Sequence, residues 1–143
     1  MKSEHLATGL TVALLAALAL PAPAGAATAR FNGPIAETDD GKITLVTEVN
    51  RGKVKHVTSF AVRRLPLECV GGETRTTSGQ TPPLDLRVGA DRHFGIYWDV
   101  FTFAGRFSRN YKRVRGELEI DAPLWWNADA HCGTARHRYV AAR

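Results

Sequence analysis

From Lys112 to Asp121 the chain alternates at every step, with Val114, Gly116, Leu118 and Ile120 on one side of a period of two. Arg113, Arg115, Glu117, Glu119 and Asp121 fall on the other side. A period of two is the mark of an extended strand with one buried face, whereas the apolar residues of a helix recur every three to four positions. The segment from 42 to 49 repeats the pattern, with Ile43, Leu45 and Val49 against Thr44, Glu48 and Asn50. Asn50-Arg51-Gly52 then reads as a tight turn, because Gly52 accepts positive φ without steric cost.

Gly, Pro and Thr punctuate the rest of the chain at short intervals, and helix signals are almost absent after the N-terminus. That spacing predicts an all-β fold, a single antiparallel β-sandwich of about seven to eight strands. Between Lys53 and Val62 the parity slips: Val54, Thr58, Phe60 and Val62 share a face and Val57 points away, which a bulge near His56 would reconcile. Leu65 to Cys69 reads as a short extended piece at a sheet edge, since Pro66 has no N–H to donate. Residues 71–83, rich in Gly, Thr and Pro, read as a mobile loop. Leu84, Leu86 and Val88 give another short strand. Ile96 to Phe107 reads as one strand apolar on both faces, and His131 to Ala141 as the closing strand.

The N-terminus is of another kind. Lys2 precedes an apolar run from Leu6 to Leu20, followed by Pro21, Pro23 and two A-x-A patterns, Ala24-Gly25-Ala26 and Ala27-Thr28-Ala29. The run is shorter than the roughly 20 residues a spanning helix needs, so residues 1–29 read as a signal-peptide helix cut after about 26 or 29. Residues 30–143 then form the single domain. The expected location is secreted or extracellular, a cell surface or periplasm-like space included, with no transmembrane span in the processed form.

Two cysteines occur in the 143 residues, Cys69 and Cys132, and in an oxidising compartment a distant pair favours one disulfide over a metal site. The resulting loop is worth roughly 4 kcal/mol in the chain-entropy picture.

These pieces have a recognisable order: Phe31-x-Gly33, Gly41-Lys42-Ile43, Val57-x-x-Phe60, Leu67-x-Cys69, Phe103-x-Gly105-x-Phe107, Gly116-x-Leu118-x-Ile120, Cys132-Gly133-Thr134 and Tyr139-Val140-Ala141. The order resembles that of small secreted β-sandwich proteins of actinobacterial type with roughly eight strands. The resemblance implies the fold and the export, and no chemistry. The chain departs from the pattern at Tyr139, where a Trp is expected, and in the extra pair Trp125-Trp126.

Candidate functional residues compete with plainer readings. The net charge is +5, and fourteen arginines stand against five lysines, which suits recognition of phosphate or carboxylate by the guanidinium fork. The densest basic stretch is Arg106, Arg109, Lys112, Arg113 and Arg115, although alternation with Glu117, Glu119 and Asp121 also fits an ordinary mixed surface. Those three acids are spaced for a hydrolase pair, or are a solvated face that Arg113 and Arg115 partly neutralise. Trp125 and Trp126, with Tyr97 and Trp98 as neighbours, would make a platform for a sugar ring, or are divided between core and surface. His131 and His137 flank Cys132 in a pattern like a zinc site, but a disulfide removes the thiolate. His93 and Asp99 lack a nucleophile motif beside them. The reading that follows is a non-enzymatic binding or surface-interaction module with no catalytic residues, metal or cofactor. Its expected partner is a cell-wall polymer or carbohydrate, and no specific nucleic acid is expected. The alternative is a small secreted hydrolase using Glu117, Glu119 and Asp121.

Overall fold

The computed structural model describes residues 26–98, 101–121 and 132–143, and of Asp121 the backbone alone. Most of the export segment expected over 1–29 lies outside these residues, as do Asp99, Trp125, Trp126 and His131. Every regular element described is a strand: β1 (Ala27–Pro34), β2 (Lys42–Asn50), β3 (Lys53–Cys69), β4 (Thr74–Gln80), β5 (Leu86–Arg87), β6 (His93–Trp98), β7 (Phe101–Phe107), β8 (Arg113–Asp121) and β9 (Cys132–Ala142). Among the described residues no helix is long and apolar enough to cross a membrane.

Nine strands stand where about seven to eight were expected, and all belong to one antiparallel sheet in the order β4-β3-β2-β1-β9-β8-β7-β6, with β5 alongside β3. The end of β3 also pairs directly with the start of β9, Glu68 opposite Gly133 and Cys69 opposite Cys132. The sheet therefore curls until its two halves face each other in sandwich fashion. Phe60 of β3 stacks on Phe103 of β7 at 4.0 Å between ring centroids, and Phe31 of β1 meets Phe107 edge-on at 5.2 Å. The expected disulfide is present, with the Cys69 and Cys132 Cα atoms 3.9 Å apart.

β3 makes this curvature possible. Its buried side chains are Val54, Val57, Phe60, Val62, Leu65 and Leu67, so the step along the strand is sometimes two and sometimes three. Each step of three coincides with a break in register: against β2 on either side of His56, and against β4 between Val62 and Leu65, where Arg64 adopts φ 53°. Each extra residue bends the strand and keeps the apolar side inward. The single bulge expected near His56 is thus a pair flanking it, and the piece from Leu65 to Cys69 is the continuation of the same strand. Arg51 and Gly52, at φ 51° and 75°, form the tight β2–β3 turn with both residues left-handed.

Two expectations are corrected. Residues 71–83 are not simply a loop, because Thr74–Gln80 forms β4, paired to β3 from Glu68 back to Ala61. Its Thr-rich sequence suits an exposed edge; of the glycines that suggested mobility, Gly71 and Gly72 lie in the β3–β4 turn before it and Gly79 lies within it, opposite Val62. Ile96 to Phe107 is not one strand either. β6 and β7 are arms of a hairpin with Trp98 opposite Phe101, so Phe94, Ile96, Phe101, Phe103 and Phe107 all reach the same core.

Candidate anion-binding face

The outward side of β6 to β9 is where the chain gathers charge. Register places His93, Arg106, Arg115 and Val140 in one row across the four strands, and Gly95, Ala104, Glu117 and Arg138 in the next. Arg106 and Arg115 are therefore direct cross-strand neighbours, a like-charge pairing that costs stability unless something anionic lies over it.

The cluster extends past the end of the strands. Ser108 to Lys112 joins β7 to β8 through a tied turn. The Ser108 N–H donates to the Arg113 carbonyl at 2.9 Å, and the Arg113 and Lys112 N–H groups donate to the side-chain oxygens of Ser108 and Asn110. Arg109 lies within this turn and lines the same depression as Arg113. From the other side comes Arg92, left-handed at φ 68°, whose carbonyl accepts the Phe107 N–H and whose Nε donates to the Phe107 carbonyl, both at 3.0 Å. A non-glycine residue in that backbone region carries strain of about 1–3 kcal/mol, and such strain tends to gather at functional sites. Arg92, Arg106, Arg109, Arg113 and Arg115 together line a depression of about 460 Å³ with Phe107 at its base.

Among the described residues none of Arg106, Arg109, Arg113 and Arg115 has an acidic partner within salt-bridge distance. Arginines elsewhere do: Arg64 meets Asp40 at 2.8 Å, and Arg75 meets Glu73 at 3.0 Å. The two β8 acids whose side chains are described, Glu117 and Glu119, are likewise engaged, though not by Arg113 or Arg115. Arg136 of β9 donates from Nε to Glu119 at 2.9 Å and lies 3.9 Å from Glu117. The Glu119 hydrogen bond, followed by the Glu117 charge, raises the Arg136 guanidinium pKa above its ordinary value.

A second depression of about 350 Å³ adjoins the first and shares Arg106 and Arg115 with it. Tyr97 is 70% exposed and lies down along the strand over Gly95, where an added Cβ would fall 2.5 Å from the ring. His93 closes the near wall, and its Nδ1 contacts the Asp91 carboxylate at 2.9 Å. That hydrogen bond holds the Asp91 pKa below the usual carboxylate value of 3.8.

The structure thus brings Arg106, Arg109, Arg113 and Arg115 together, while Lys112 does not line the depression. Tyr97 and Trp98 part company, as adjacent strand residues do: Tyr97 joins the charged face, and Trp98 tilts toward Phe101 beside an apolar niche with Phe60 and Ile96. His137 is buried on the same side as Cys132, because a register shift between Leu118 and Ile120 changes the parity of β9. Its Nδ1 contacts the Ala36 carbonyl at 2.9 Å. Sequence reasoning missed Arg92, Arg136 and Arg138, which enter by register rather than by proximity along the chain. No family model, curated protein or solved structure matches the chain.

Proposed function

We propose that the protein is a non-enzymatic binding module that works outside the cytoplasm, and that its arginine face takes an anionic ligand. The observation that carries this reading is the pairing of Arg106 with Arg115, without acids, in a depression ringed by three further arginines. Guanidinium groups converging on one place suit bidentate capture of phosphate, sulfate or carboxylate oxygens. The disulfide is in keeping with an oxidising compartment. Processing after Ala26 would leave β1 whole, whereas a cut after Ala29 would remove the residues facing Val49, Glu48 and Thr47. The competing hydrolase would draw on Glu117, Glu119 and Asp121, and the first two are engaged by Arg136.

Calorimetric titration with tripolyphosphate tests the reading. Replacing Arg106 and Arg115 together by Gln is expected to weaken binding at least tenfold. Replacing Lys53 and Lys55 by Gln, which removes the same charge on the far side of the chain's register, is expected to weaken it less than twofold. Equal losses from the two double variants would reduce the effect to net charge and end the proposal.

A further inference from the structure

We infer that the ligand of this face is an acidic saccharide, seated with a sugar ring against Tyr97 and its anionic group among the arginines. The inference rests on the reading of the face as an anion site and adds what the second depression contributes. The two depressions adjoin, because Arg106 and Arg115 border both. In the first, every charged residue is an arginine. The second is lined by Ala104, Gly105 and Gly116, small residues beside the exposed ring of Tyr97, which itself covers Gly95.

The walls of that second depression are chemically mixed: the Glu117 carboxylate, the His93 imidazole and the Arg138 guanidinium. Such a set accepts from and donates to hydroxyl groups at once, which matches a polyol ring and is wasted on a bare polyanion. Tyr97 with its reclining ring offers an apolar surface to the C–H face of a pyranose and a hydroxyl at its rim. The row of Gly95, over which the ring lies, is two residues along the strand from the row of Arg106 and Arg115. That separation is about 7 Å at the strand rise, the span of one sugar unit together with its exocyclic acid. A single-stranded nucleic acid fits less well, since it offers few hydroxyl groups to the mixed walls of Glu117, His93 and Arg138.

The test uses polygalacturonate, dextran sulfate, polyphosphate, an oligothymidylate and neutral dextran as probes, with binding followed by calorimetry. The intact protein is expected to bind polygalacturonate or dextran sulfate at least tenfold more tightly than polyphosphate, and the stronger of the two identifies the acid group. Tyr97→Ala is expected to lower that affinity at least fivefold and leave polyphosphate binding unchanged. Gly95→Ala, which pushes the ring off its seat without altering any charge, is expected to act in the same direction. Circular dichroism checks that both variants remain folded. If polyphosphate binds as tightly as the acidic polysaccharides, or Tyr97→Ala leaves every probe unchanged, the saccharide inference fails and the anion site stands. Tighter, Tyr97-dependent binding of oligothymidylate overturns it in favour of nucleic acid. Loss of no probe on replacing both Arg106 and Arg115 by Gln removes the underlying site itself.

Discussion

Arg106 and Arg115 face each other across two strands, and neither has an acid to share among the described residues. Direct like-charge pairs of this kind destabilise a sheet by about 0.2–1 kcal/mol. Arg115→Gln should therefore raise the unfolding free energy from urea titrations at low ionic strength by about 0.2–1 kcal/mol, and the gain should shrink in 1 M salt as screening sets in. A variant that is less stable at low salt would show that the pair is not a strained one. Tyr139 makes the opposite kind of statement, since it is fully buried and its hydroxyl donates to the Ala104 carbonyl at 2.9 Å. Burial, assisted by the charge of Glu117, pushes its phenol well above the ordinary value of 10.0. A group whose folded pKa is raised holds its proton longer in the native state, so its contribution is complete below about pH 10 and is lost as the pH rises beyond it. Tyr139→Phe is expected to cost about 1–3 kcal/mol at neutral pH through the deserted carbonyl. The gap between the two proteins should narrow above about pH 10, which denaturant titrations across that range would measure. The basic stretch was legible because Arg106 to Arg115 are close along the chain. Arg92 and Arg138 were not, for the register that delivers them depends on strands whose pairing no local pattern specifies.

Among the elements, β3 shows how a pattern that looks irregular can be read. Its buried residues come in steps of three, three, two, three and two, and every three marks a residue set aside from the alternation. Deleting Lys55 turns the first step of three into a regular step of two and leaves Val54 and Val57 on the same side. Deleting Ala61 turns the regular step from Phe60 to Val62 into a parity error and sends one half of the strand's apolar residues outward. At about 1.5–3 kcal/mol for each side chain lost from the core, the second deletion should abolish cooperative unfolding, while the first retains it. Thermal melts of the two single-residue deletions would decide, and similar melts would refute the assignment. The slip around Val57 pointed to a bulge from sequence alone. What sequence did not convey was β4, because Thr-rich edge strands resemble loops when no buried face marks them. The hairpin of β6 and β7 was lost for a related reason: both arms are apolar on their inner side and run into each other with too short a break to register as a turn.

For the molecule as a whole, two cysteines and a period of two were enough to give strands, antiparallel pairing and a covalent closure. Strand order was beyond reach, since the neighbours β1 and β9 are separated by nearly the full domain and meet only because β3 curls. The bridge that completes this curl spans 63 positions in sequence, and every arginine lining the first depression lies inside that span. A protease that cuts the backbone once anywhere between the two cysteines accordingly produces two pieces that cannot drift apart. A singly clipped sample should run at full mass on a non-reducing gel, separate into fragments only with a reductant, and still bind tripolyphosphate before reduction. In surroundings where peptide bonds are under constant attack, the fastening would let the protein outlive its own first break.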